Sequence, residues 1–198
     1  MAHDVYRSIM CGLFTLFGLY TWLIVNENKN CIDCILEYNY FFDTVSKLAQ
    51  LYMVIDIVMI FVGQYYGIKF RVDLFLHHVM AIIIIKMCTY YNLQFVWGLI
   101  GISELLSIWT GLASYGRYAN HYKLRKECYK FRVLTIVAWR LPWWISLSQY
   151  YYLVHTIVML VVLVLAGIII LFLDTYWLIQ CIKRIHDMEN KLYHNKNN

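Results

Sequence analysis

Two adjacent histidines, His77 and His78, stand near the start of an apolar run, "RVDLFLHHVMAIIIIK", and Asp73 precedes His77 by one helical turn. On a helix that spacing puts Asp73 and His77 on one face. A carboxylate that accepts a hydrogen bond from one ring nitrogen fixes the tautomer and leaves the other nitrogen as acceptor or nucleophile, the arrangement used in general-base and covalent catalysis. The competing reading is an interfacial histidine pair that only hydrogen-bonds to backbone or phosphate.

Four more ionisable residues, Asp56, Glu104, Arg140 and Asp174, interrupt long apolar stretches. Each costs about 2.5 to 3.5 kcal/mol to place within a bilayer, so they are expected to face one another inside a helix bundle. With a rise of about 1.5 Å per residue, Asp56, Glu104 and Arg140 fall within about 5 Å of one another in depth. One arginine between two carboxylates is then expected, either as a polar staple between helices or as part of a substrate site. Trp144 belongs to the same group through "WRLPWW", where Pro142 removes a backbone donor and should kink the helix beside Arg140. Gly98, Gly101, Ser103, Ser107, Gly111 and Ser114 flank Glu104 with small side chains that permit close helix approach.

The elements that must hold these residues are membrane helices. Of the 198 residues 62% are apolar and 15% charged, with a single proline, a composition that belongs in a bilayer. Six stretches reach the length of a span: residues 8–25, 48–66, 72–91, 93–115, 131–152 and 154–182. The fold expected is all-α, a single polytopic domain of about six transmembrane helices over residues 1–198, with no room for a soluble catalytic domain. The first stretch is too long for a signal-peptide core and lacks a cleavage site, so it is read as a retained span.

Arg7, Lys69, Arg71, Arg117, the connection at residues 123–132 and the tail from Lys183 fall on one side, and only Lys29 and Lys47 on the other. Both termini are therefore expected in the cytosol. Tyrosines at 65–66, 90–91 and 150–152 mark span ends. The formal charge of +5 is an orientation signal that favours anionic headgroups over nucleic acid, for which no motif is present. Cys11, Cys88, Cys128 and Cys181 are scattered and read as small apolar residues. Cys31 and Cys34, in "CIDC" on the side opposite the cytosol, could oxidise in a lumen. No zinc pattern occurs, and no metal or tightly bound cofactor is expected.

Taken in order, "LYMVIDIVMI", "DLFLHHVMAI", "ISELLSIW" and "AWRLPWW" resemble the TLC domain, the family of ceramide synthases, the ceroid-lipofuscinosis membrane protein and smaller TLC-domain proteins of the endoplasmic reticulum. The resemblance spans about residues 45–185. It implies a TLC-type bundle in the endoplasmic reticulum membrane. In the ceramide synthases one histidine of the pair is thought to carry the acyl chain from acyl-CoA, so His77 and His78 become nucleophile and base or orienting partner. Where ceramide synthases have a His-Asp-x-x-Asp segment this chain reads "SELLS", which matches the smaller TLC-domain proteins better. The expected reaction is then acyl transfer from acyl-CoA to a membrane lipid such as a phospholipid or lysophospholipid, rather than to a sphingoid base.

Lys69, Arg71 and the connection holding Lys123, Arg125, Lys126 and Lys130 could pair with the phosphates of acyl-CoA, although they satisfy the positive-inside rule equally well. Candidate partners are membrane lipid, acyl-CoA and a second copy of the chain. The missing His-Asp segment keeps open a non-catalytic lipid-binding, lipid-sensing or cargo-interaction protein. A transporter or channel draws on the buried charges but finds no inverted repeat in support.

Overall fold

The computed structural model describes residues 2–28, 30–147 and 157–197, the last seven by backbone alone. Lys29, the end of the fifth expected span and the tyrosines at 150–152 lie outside them. Every regular element among the described residues is helical, and the chain is an all-α multi-pass membrane protein. The helices are α1 (Ala2–Glu27), α2 (Ile32–Leu36), α3 (Asn39–Tyr65), α4 (Val72–Tyr90), α5 (Gln94–Gly101), α6 (Leu105–Tyr118), α7 (Tyr122–Thr135), α8 (Leu141–Leu147) and α9 (Ile157–Asn197). A 3-10 turn, Ile102–Glu104, joins α5 to α6, and a π-turn, Ile136–Arg140, joins α7 to α8.

Among the described residues, five segments are long and apolar enough to cross a membrane: His3–Glu27, Tyr40–Tyr65, Val72–Tyr90, Gln94–Tyr118 and Ile157–Asn190. The fifth expected span, residues 131–152, corresponds over its described part to the rod made by α7, the π-turn and α8. It starts in charged sequence and runs antiparallel to α9, with Tyr122 against Met188, Tyr129 against Arg184 and Arg140 against Asp174.

Three of the reversals use one device. At the ends of α3, α4 and α6 the residue after the cap takes a positive φ, 77° at Gly67, 56° at Asn92 and 51° at Asn120. In each, the next amide reaches back past a full turn: Ile68 to Gly63 O, Leu93 to Cys88 O and His121 to Gly116 O. Glycine and asparagine tolerate this left-handed geometry, which satisfies the last carbonyls and turns the chain sharply. Short reversals bring α3 beside α4 and α6 beside α7.

α1 lies antiparallel along α5 and α6. A β-carbon at Gly101 would stand 2.7 Å from the carbonyl oxygen of Phe14, and one at Gly18 would stand 2.5 Å from the amide nitrogen of Ile102. The small-residue series is thus the seat of α1, with backbones in near contact.

The two irregular turns face each other. Pro142 has no amide hydrogen, and the backbone before it widens into the π-turn, where Leu141 N bonds to Ile136 O. From this rod Trp143 Nε1 donates to Leu99 O (3.0 Å), Trp139 Nε1 to Ile102 O (3.4 Å) and Arg140 Nη1 to Ser103 O (3.2 Å). Side-chain donors thereby reach carbonyls around the 3-10 junction, which a bilayer could not hydrate. The expected proline kink is accommodated as this π-turn.

Candidate functional site

His77 and His78 leave α4 toward different neighbours. His78 is 2% exposed, and its Nε2 shares a short hydrogen bond with Oδ2 of Asp56 on α3, which is itself 0% exposed. Its edge meets the Tyr52 ring, centroids 6.0 Å apart. Nδ1 of His78 is buried and has no hydrogen-bond partner among the described residues. His77 faces the 3-10 junction, its Nε2 3.5 Å from Oε1 of Glu104, and Ser107 Oγ donates to the other Glu104 oxygen at 3.4 Å. The two imidazole centroids are 5.3 Å apart.

Each histidine therefore has its own carboxylate, and neither is Asp73. Asp73 sits in the first turn of α4, where Arg71 binds both its oxygens (2.8 and 2.6 Å) and Trp177 Nε1 donates to Oδ2 at 2.8 Å. The guanidinium just before the helix and the indole from α9 engage that carboxylate and correct the expected Asp73–His77 pair. Asp73 is linked to His77 only through Trp177, whose ring centroid lies 5.7 Å from that of His77.

The expected Asp56–Arg140–Glu104 network is also corrected. Arg140 turns to Asp174 on α9, with Nε to Oδ2 at 3.1 Å and Nη2 to Oδ1 at 3.0 Å. Trp144 Nε1 donates to Oδ2 of the same aspartate at 3.1 Å. The π-turn carries Arg140 toward α9, whose Asp174 receives both donors. Arg140 is 1% exposed and its guanidinium also lies against Trp144 and Trp177, 5.9 and 5.6 Å from their ring centres.

α1 contributes two residues that had no place among the expected site residues. His3 Nε2 shares a short hydrogen bond with Oδ1 of Asp56, and Arg7 Nε stands 3.6 Å from Oδ2. Asp56 is thus enclosed by His3, Arg7 and His78. The available signal was the spacing of His3 and Arg7, one turn apart at the start of a membrane helix. Pairing to α3 over 53 residues had no local trace.

A cavity of about 30 Å³ opens among these groups, bordered by Arg7, Tyr52, His77, His78, Glu104, Ser107, Arg132 and Arg140. Its volume accommodates water-sized groups. Beyond Trp144 a second, apolar cavity of about 30 Å³ lies between Ile84, Leu99, Leu147, Leu163 and Ile170. Arg140, Asp174 and Trp144 form the partition: Arg140 borders the polar space and Trp144 the apolar one. No cluster of metal ligands occurs among the described residues. Chemically, the polar cavity combines two oriented imidazoles, a carboxylate, hydroxyls and several guanidiniums.

No family model, curated protein or solved structure matches this chain.

Proposed function

We propose that the chain is a TLC-type lipid acyltransferase that moves an acyl group from acyl-CoA to a membrane lipid through His77, with His78 as its proton partner. The observation that carries this reading is the meeting of two carboxylate-held histidines in a cavity whose far wall leads to an apolar space. Asp56, His77, His78, Glu104 and Arg140, drawn from the TLC-like motifs, stand around that one place.

Glu104 faces Nε2 of His77 and favours a proton there, which leaves the Nδ1 lone pair for attack. Nδ1 adds to the thioester carbonyl, the C–S bond breaks, and the departing sulfur takes the Nε2 proton. The acceptor's hydroxyl or amine then attacks the acyl-imidazole, the N–acyl bond breaks, and the acceptor's proton restores His77 by way of the unpartnered Nδ1 of His78. The acyl chain would pass Trp144 into the apolar space. Because the cavities are small, binding requires helices to separate, and α9 beside the partition is the element to move.

The endoplasmic reticulum membrane is the proposed location. The Cys31–Cys34 disulfide, in the connection opposite the amino terminus, supports an oxidising compartment on that side. The test is product formation from acyl-CoA and lysophospholipid by purified wild type and His77→Ala; turnover must vanish in a variant that still folds.

A second reading, a non-catalytic lipid-binding or sensing protein, is favoured by the cavity's size, which suits a headgroup contact better than two reactants. It requires lipid retained on the purified protein and acyl-CoA left unconsumed.

A further inference from the structure

Arg132 on α7 borders the polar cavity from the end of the bundle that holds the amino terminus. Its Nε is buried and donates to nothing, and the residue makes no ion pair among the described residues. Cys181, Tyr129, Arg184 and Arg71 are among its ionisable neighbours, and the two of these that carry a full charge are positive. Arg184 is engaged with Tyr129, donating to its hydroxyl at 2.9 Å and lying against its ring. Arg117 and Arg125 also act on Tyr129, and Nε of Arg125 is likewise buried with no hydrogen-bond partner among the described residues.

Nearby carboxylates are engaged by other cations: Glu127 by Lys130 at 3.0 Å, Glu189 by Lys126 at 2.6 Å and Asp73 by Arg71. Setting the orientation of a membrane protein needs only solvated cations, as in the exposed Lys123 and Lys130. A guanidinium nitrogen buried among like charges is costly and gains from an anion at that position. The planar donor fork of a guanidinium matches the oxygens of a phosphate.

We propose that this end of the bundle binds a phosphate group, held by Arg132 with Arg71 and Arg184 beside it, at the mouth of the histidine cavity. The phosphate belongs to a lipid headgroup or to a soluble phosphate ester. The site stands on the unpartnered Nε of Arg132 and does not depend on acyl transfer.

The experiment uses full-length protein in a phosphate-free maltoside detergent, with pyrophosphate and CoA as soluble probes and short-chain phosphatidic acid as the lipid probe. Thermal unfolding and probe affinity are followed for wild type, Arg132→Met, Arg132→Lys, Lys123→Gln and His77→Ala. At least one probe raises the wild-type Tm saturably. A response to the soluble probes alone assigns a phosphate ester in water, and a response to phosphatidic acid alone assigns a headgroup. Without probe, Arg132→Met unfolds at a higher temperature than wild type, because an uncompensated charge is gone. The same variant binds the probe about tenfold more weakly or worse. Arg132→Lys keeps part of the response, while Lys123→Gln and His77→Ala keep all of it. The proposal is overturned if no probe raises the Tm, if Lys123→Gln loses as much affinity as Arg132→Met, or if Arg132→Met is destabilised without probe. Loss of turnover in His77→Ala with the probe response retained separates this site from the acyl-transfer reading.

Discussion

Asp56 on α3 and His78 on α4 are joined by a short hydrogen bond between buried side chains, and the same carboxylate receives His3 and faces Arg7 from α1. Three helices are thus tied at one carboxylate. The glycine contacts and Ser8, whose Oγ donates to Ser107 O, also seat α1, and Asp56 adds a polar anchor at its first turns.

Replacing Asp56 by alanine should leave Arg7 as a buried cation without its anion and two imidazoles without an acceptor. The expected loss is about 3 to 5 kcal/mol. Asp56→Asn, which keeps one acceptor oxygen and the shape, should lose less. Thermal unfolding in detergent ranks the two variants; equal and negligible effects would contradict the triple tie.

Arg140 and Asp174 should behave as a unit. Arg140→Met or Asp174→Leu alone leaves the other charge buried and should cost about 3 to 5 kcal/mol, whereas the double variant should recover much of that loss. A double-mutant cycle on unfolding measures the coupling. Simple additivity of the two losses would show that the pair does not act as one.

Gly101→Ala places a methyl group against the Phe14 carbonyl oxygen, a backbone atom that cannot rotate away. Overpacking of this kind costs about 1 to 3 kcal/mol. Gly167→Ala, whose methyl would meet nothing within 4 Å, is the control and should be tolerated. Comparable Tm values for both would argue against the close seat of α1.

Glu104→Gln should retain the fold and its bond to Ser107 while weakening the orientation of His77. Turnover is expected to fall by about tenfold to a hundredfold, with less effect on substrate KM. A loss confined to KM would assign Glu104 to substrate binding instead.

The helical class and most span positions were legible because apolar length and basic asymmetry are properties of single segments. The small residues at Gly98, Gly101 and Gly111 likewise announced a close helix contact before its partner was known. What stayed hidden was the choice of partner. Asp73 shares a face with His77, but Arg71 and Trp177 compete for it. Arg140 lies at a depth near Asp56 and Glu104, but depth does not encode azimuth, and the π-turn before Pro142 takes the guanidinium to Asp174. Arg7 counted only as an orientation charge and His3 had no expected role, because it is the packing of α1 against α3 that brings both to Asp56.

The central claim is that His77 carries an acyl group. Intact-protein mass spectrometry of wild type and His77→Ala after incubation with long-chain acyl-CoA, with and without hydroxylamine, addresses it most directly. The expected result is a hydroxylamine-labile acyl adduct on wild type that is absent from His77→Ala. An adduct of equal yield on both proteins, or none on wild type with acyl-CoA and lysophospholipid left unconsumed, would contradict histidine-borne acyl transfer and leave the pair as a buried hydrogen-bonding element.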